Sequence, residues 1–506
     1  MAQSSYSIAR SARRSGQGII AGIFEILAVL GVLTAIGYFV WRGGNFGSTK
    51  SEPGQLTDHH LTAEAALALC GTATNDGRAI PFEMVYSDDK RQWIEFATDR
   101  FSRLCPNIQV KLTAMPDIDA ANAIRSGRIS PTLWAPTDEL ALRYLEHSWK
   151  ERGIRPPFSL AEKTELVRSP LVVLIWQDRL RVLSTILRKE RSDEGNWMRA
   201  FCPRIPREPD LAGIPIEQMK PGSWSNWYSS LIPAPALQKK KAVRPSVLPL
   251  LSGGEPLPTL EEVETWGQVK LGHAKPTRDS AGVGALFLMS YDYVLPPQER
   301  TARADTKEEP GAAHTSPQTR EQNLAHSFES ALAKRKTGLG QWLRRCEAGL
   351  DAPPKTAQIL TSAIFNLGPT AYDGVVTYEH LALPFLDRVD AHSNAMRKLV
   401  MLYPEPLLLA GHPAVVFDDR PERQEVARRW LRFLLSQPMQ EKAIELGFRP
   451  VNPEVTLRGY DVEQNRFLRL RRYGVRIQPS WQEAPRVSGH TIQELIALWA
   501  EVTGRH

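Results

Sequence analysis

Catalytic signatures are missing from this chain of 506 residues. It has no Gly-x-Ser-x-Gly elbow and no Gly-rich phosphate loop closed by Gly-Lys-Ser or Gly-Lys-Thr, which leaves out the commonest hydrolase and nucleotide-hydrolase scaffolds. Cysteine is scarce, with four residues in all. Neither a Cys-x-x-Cys pair nor a His-Glu-x-x-His helix occurs, and the 11 histidines show no metal-ligand spacing. No internal repeat stands out, and no basic-aromatic module accompanies the formal charge of +7, whose Lys and Arg are spread among 56 acids. The expectation is therefore a protein without cofactor, resident metal or nucleic-acid partner, and not an enzyme.

What is present begins with one long apolar run. Residues 19–41, bounded by Ile19 and Trp41, are interrupted by Glu25 and preceded by Arg10, Arg13 and Arg14. Such a run crosses a hydrocarbon layer of about 30 Å as a helix. The arginines place residues 1–18 in the cytoplasm and the rest of the chain outside, as a single-pass anchor. A cleaved signal peptide is the competing reading, although its apolar core is usually about 7–15 residues. Residues 42–80, rich in Gly, Ser, Pro and charge near their start, read as a stalk. In an oxidising space Cys70, Cys105, Cys202 and Cys346 can pair. A Cys70–Cys105 bridge would tie the stalk to the body, with buried free thiols as the alternative.

The body alternates strand and helix. Residues 82–87 are a short apolar strand followed by a helical stripe of Trp93, Phe96, Ala97, Phe101 and Leu104; Ile108, Val110 and Leu112 then alternate as a strand does. A helix over 119–126 stops at Gly127, and 133–135 make a strand before a helix capped by Thr137 or Asp138. The run SPLVVLIW at 169–176 reads as a strand buried on both faces. This rhythm argues for mostly parallel sheets with crossover helices. Residues 188–259 and 302–322 lack periodicity and read as insertions, the second a mobile excursion. Later strands fall at 375–378, 398–403 and 414–417, and helices at 423–435 and 491–502. His273 and His412 are the histidines placed to support acid-base work, or else to serve as structural hydrogen-bonders.

The segments YSDDKRQWI, GRISPTLWAPTDEL, SPLVVLIW, GHAKPTRDSAGVGALFLM, GPTAYDGVVTYEHLAL, YPEPLLLAGHPAVVF and RRWLRFLLSQPMQEKAIELGFRPVNP, taken together and in this order, resemble successive blocks of bacterial extracellular solute-binding proteins of the type 2 periplasmic-binding fold, the class of molybdate- and sulfate-type receptors. The resemblance implies an α/β protein of two lobes, mostly parallel sheets flanked by helices, joined by two crossing strands that hinge shut on a ligand. Lobe I would comprise 81–168 and 377–460, lobe II 169–376, and 461–506 a C-terminal extension. With the apolar run as anchor, it implies a bacterial inner-membrane protein with its body in the periplasm or extracellular, and a transporter permease or another membrane protein as partner.

Carried over by position, the ligand contacts would be Ser87, Asp88, Thr137, Ser169, Thr277, Ser280, Tyr378 and Glu379, with hydroxyls and helix N-termini suited to an oxyanion. Where similar proteins often carry two serines in the second-lobe loop, this chain has Asp279 and Ala281, an acid that would repel an anion and a lost donor. Asp88, Asp89, Asp138, Asp279 and Glu379 offer the opposite site, for a cation or an amine. A protein that keeps the fold as an interaction scaffold, its ligand site drifted, is the other functional class.

Overall fold

The structure, a computed structural model, describes residues 69–71, 78–189, 202, 222–231, 257–295, 317–350, 352–391, 399–458, 465–477 and 482–505. No helix among them is long and apolar enough to cross a membrane, and the anchor expected at 19–41 lies outside them, as does most of the stalk.

Two sheets organise the body. The first opens with β1 (Ile80–Tyr86), whose alternation buries Phe82 and Met84 on one face. It pairs in parallel with β2 (Ile108–Ala114) and β3 (Leu133–Ala135). Between β1 and β2, helix α1 (Arg91–Leu104) buries Trp93, Ile94, Ala97 and Phe101, four positions of one helical face. Leu104, expected on that stripe, is exposed. Helix α2 (Asp117–Arg125) starts two residues earlier than expected and is followed by Gly127 at φ +71°. Helix α3 (Glu139–Lys150) is capped by Asp138, which accepts from Leu140 N at 2.9 Å.

The second sheet is built around β5 (Val167–Trp176), buried from Ser169 to Trp176 as its unbroken apolar run requires. β7 (Gly374–Tyr378), β8 (Leu399–Leu402) and β9 (Leu409–Ala410) all pair antiparallel with it, and only β6 (Leu271–Gly272) is parallel to β7. In the first sheet β10 (Pro413–Val416) runs antiparallel to both β3 and β4 (Thr164–Glu165). The expectation of mostly parallel sheets is thus corrected to mixed ones. Strands that leave one sheet and return from the other must run opposite to their neighbours at the join.

The crossings are β4–β5 outward and β9–β10 back, side by side at Ser169↔Ala410 and Pro170↔Leu409. The return therefore lies at Leu409–Val416 and not near residue 377. β7 and the helix that follows it from Glu379 remain with the second sheet because Val375, Val376 and Tyr378 pair and bury there. A further strand, β11 (Arg449–Pro450), pairs with Arg168 and Val167 beside the outward crossing.

Helix α4 (Gln177–Lys189) leaves β5, and α5 (Trp224–Leu231) shows that part of the first expected insertion is ordered: Trp224 is fully buried and donates to Asp373 at 2.8 Å. Helix α6 (Ser280–Val294) is buried on every side, as its nearly all-apolar sequence demands. Helix α7 (Pro317–Glu347) begins inside the second expected excursion, whose residues 302–316 lie outside the described ones. Helices α8 (Ala357–Leu367), α9 (Glu379–Ala391), α10 (Pro421–Leu434) and α11 (Gln437–Glu445) precede the last, α12 (Gly489–Thr503). The four cysteines form two disulfides, Cys70–Cys105 and Cys202–Cys346.

The core does not divide sheet by sheet. One hydrophobic cluster joins Trp134, Leu140 and Leu145 from the first half to Leu171, Val283, Phe287 and Trp499 from the second, with α12 packed on α3, α6 and α7. Where an open gap was expected, the halves meet through packed hydrocarbon around a buried polar cluster.

Candidate functional site

That cluster lies where strands end and helices begin. Ser87 directly follows β1, Thr137 lies two residues beyond β3, Tyr378 ends β7 with His380 two residues on, and α6 starts with Ser280. Ser87, Thr137, Ser169, Ser280 and Tyr378 are all buried. The Thr137 hydroxyl donates to Asp89 Oδ2 at 2.6 Å and lies 2.8 Å from Ser87 Oγ, and the Thr137 amide points at both oxygens of Asp117. From the second half, His380 presents Nδ1 to Ser169 Oγ at 2.9 Å and Nε2 to Asp89 Oδ2 at 3.5 Å. The His412 amide donates to the Thr137 carbonyl at 3.0 Å. Lys90, fully buried, donates to the Ala135 carbonyl at 3.0 Å with its ammonium 3.6 Å from Asp89 Oδ1.

The acid at the start of α6 turns out to be a double cap. Asp279 Oδ1 accepts from Ala281 N at 2.8 Å and Oδ2 from Ala357 N at 3.3 Å, joining the N-termini of α6 and α8. Gly282 is required one turn in, because a Cβ there would stand 2.3 Å from the Ala274 carbonyl oxygen. Across the junction Ile118 N donates to Arg278 O at 3.0 Å, and the Arg278 guanidinium pairs with Asp119.

Charge is distributed unevenly here. Burial pushes Asp117 up to about 6 and Asp138 up to about 7, and holds Asp279 well above the usual carboxylate range with help from the charge of Asp117. Burial would raise Asp89 too, but Lys90, His380 and His412 together draw it well below that range. Burial, reinforced by Lys90, drives His412 well below the ordinary imidazole value, leaving it neutral. Burial and the surrounding acids hold the Tyr378 phenol well above its own. Several atoms in this region are buried and without a hydrogen-bond partner: Tyr378 OH, Ser280 Oγ, Asp138 Oδ2, Asp89 Oδ1, His380 Nε2 and both ring nitrogens of His412.

Of the eight expected contact residues, five belong to this buried group. Asp88 is half-buried in the turn before α1, and Thr277 is half-buried in the loop before α6. Glu379 has both oxygens engaged by Arg449, at 2.6 and 2.8 Å, and receives the Tyr403 hydroxyl as well; it is part of a structural ion pair. His273 is likewise structural, 2.6 Å from Glu347, which also accepts from Trp499 and Arg505. Lys90, Asp117, His380 and Phe448 were not anticipated. Only the apolar strand ahead of Lys90 and His380 could have flagged them, as residues just beyond strand ends. A groove of about 180 Å³ beside the crossings reaches Asp138 and is also lined by Arg143, Lys163 and Arg168, each already paired with Glu139 or Glu165.

No family model and no curated protein matches the chain. Solved structures similar to it include the periplasmic binding protein AfuA from Actinobacillus pleuropneumoniae with fructose-6-phosphate, at 10% identity and TM-score 0.43, covering 84% of this chain and 99% of that one. The apo ferric ion-binding protein A of Pasteurella haemolytica gives 12% and 0.42, with 85% and 99% covered. The sulfate-binding protein SubI of Mycobacterium tuberculosis gives 9% and 0.36, with 74% and 88% covered. In this chain the two mixed sheets are joined by strands that cross out at Thr164–Trp176 and back at Leu409–Val416.

Proposed function

We propose that this chain is a membrane-tethered, extracytoplasmic solute-binding protein that captures a small polar ligand between its two halves, by hinge motion about β4–β5 and β9–β10. One observation carries the reading: buried polar atoms without partners, from both sides of the crossings, gather at the strand ends. A buried unsatisfied group costs about 1–3 kcal/mol, so a set of them is retained only where something else satisfies it. The charge balance, Asp89 and Asp117 against Lys90, favours a cation or an amine over the oxyanion. Residues 19–41 supply the tether, the two disulfides suit a body held in an oxidising space, and a permease is the natural membrane partner.

A thermal-shift screen of divalent cations, amines, amino acids, sugars and oxyanions tests it. A true ligand stabilises by mass action, about 2.7 kcal/mol at a hundred times its Kd. Thr137→Val and Tyr378→Phe should diminish that shift. The packing of α12 across α3, α6 and α7 favours a second reading, a scaffold with its halves fixed shut. A screen in which no compound moves the transition supports the scaffold and overturns the binding protein.

A further inference from the structure

His380, His412 and Asp89 each bring one ligand atom to within 4.8 Å of the other two. We infer that these three residues hold a divalent transition-metal ion of the zinc, cobalt or nickel type. This rests on the binding reading above and names the ligand class for that same cluster.

The argument starts with hydrogen bonding. A histidine that only supports a fold uses at least one ring nitrogen to do so. His412 is fully buried, yet neither Nδ1 nor Nε2 has a partner. It is also the one non-glycine residue at positive φ, +40°, among the described residues, a conformation that must be stabilised by its surroundings. His380, also buried, makes no hydrogen bond through Nε2, which stands 3.5 Å from Asp89 Oδ2, and Asp89 Oδ1 makes none either, with the Lys90 ammonium 3.6 Å away.

Orientation is supplied from outside the three. Phe448 stacks on the His380 ring with centroids 4.2 Å apart and meets the His412 ring edge-on at 5.1 Å. Ser169 Oγ, 2.9 Å from His380 Nδ1, can accept that N–H and so turn the Nε2 lone pair toward Asp89; Thr137 fixes Asp89 through Oδ2. A hydroxyl on the far nitrogen and a donor on the carboxylate are the outer partners that metal ligands keep.

Distances and charge agree. Donor atoms around a tetrahedral ion with bonds of about 2.0–2.2 Å lie on the order of 3.3–3.6 Å apart. His380 Nε2 and Asp89 Oδ2 are already at 3.5 Å, and small side-chain rotations bring in His412. Two imidazoles with one carboxylate select borderline metals over calcium or magnesium, which take oxygen. The ammonium of Lys90, 3.6 Å from Asp89 Oδ1, opposes a cation and is offset by the Asp89 carboxylate beside it.

The test uses the full-length chain in detergent, stripped with chelator, then titrated with Zn2+ by calorimetry and with Co2+ by visible absorption at pH 7.5. One equivalent should bind, with cobalt ligand-field bands and a raised thermal midpoint. His380→Ala, His412→Ala and Asp89→Asn should each weaken Zn2+ at least tenfold, whereas His490→Ala, an exposed histidine on α12, should not. Equal affinity in the His380→Ala/His412→Ala double variant overturns the inference, as does a wild-type protein that takes up no metal. Should those variants fail to fold, X-ray absorption of the wild-type cobalt complex decides: two imidazoles support it and an all-oxygen shell refutes it. An amine or sugar that stabilises a protein indifferent to Zn2+ and Co2+ would sink the metal while leaving the binding reading intact.

Discussion

Arg449 grips Glu379 with two parallel bonds, Nε to Oε2 at 2.6 Å and Nη2 to Oε1 at 2.8 Å, at a site where the carboxylate is wholly buried. The pair ties β11 to the start of α9, beside the crossings. Tyr403 donates to the same carboxylate, and its own phenol is pushed well above the usual range by burial and by Glu379.

Removing one partner of such a pair strands a buried charge. Arg449→Met should therefore destabilise the fold by about 3–5 kcal/mol. Combining it with Glu379→Gln should recover part of that loss. Urea unfolding of the four proteins of the cycle measures both; additive single effects would show that the two residues are not coupled.

The acids in the cluster set a pH dependence. Burial raises Asp138 to about 7 in the folded state, so folding takes up a proton that the unfolded chain does not hold at neutral pH. Stability contributed this way falls as pH rises through that value. Lowering the pH from 8 to 6.5 should add about 1 kcal/mol from Asp138 alone. His412 has the opposite sign: its folded value is depressed, so its contribution is lost as pH falls below about 6.5. From these two groups alone, stability rises as pH falls toward about 6.5 and then levels, because the two slopes cancel. Asp138→Asn keeps the cap on Leu140 and should flatten the alkaline side of the profile, as read from denaturation midpoints between pH 6.5 and 8.

Helix α12 closes the junction between the halves. Trp499 is fully buried and donates to Glu347 Oε1 at 3.0 Å, so Trp499→Ala should cost about 3–5 kcal/mol. Gly489 sits so near α3 that a Cβ would meet the Arg143 carbonyl oxygen at 2.1 Å. Gly489→Ala should cost about 1–3 kcal/mol and loosen α12 from α3. Hydrogen exchange of α12 amides would report it, and unchanged protection would contradict the packing described.

The Cys202–Cys346 bridge spans 144 residues of sequence. On the chain-entropy account a loop of that length contributes about 5 kcal/mol. Replacing both cysteines by serine should lower the thermal midpoint by more than the same change at Cys70 and Cys105, which are 35 residues apart. Calorimetric scans of the two double variants decide the order.

Local pattern alone determined many of the strands and helices, though not α5, which lies in a stretch without legible periodicity. The unbroken apolar run after Arg168 had to be a buried strand, and the stripe through Trp93, Ala97 and Phe101 a helix lying on a sheet. Asp138 was legible as a cap because capping depends on residues two or three positions away. Strand direction was not, since it depends on which distant segment lies alongside: β10 returns antiparallel to β3, and the sheets are mixed for that reason. The candidate site followed the same division. Ser87, Thr137, Ser169, Ser280 and Tyr378 could be named by their positions in the segments that resemble solute-binding proteins, each close to the start or end of an element. That Glu379 is consumed by Arg449, and that His380 and His412 face Asp89, are facts of tertiary structure. Residues far apart in the chain become neighbours only once the crossings bring strand ends together, and no spacing in the sequence encodes that meeting.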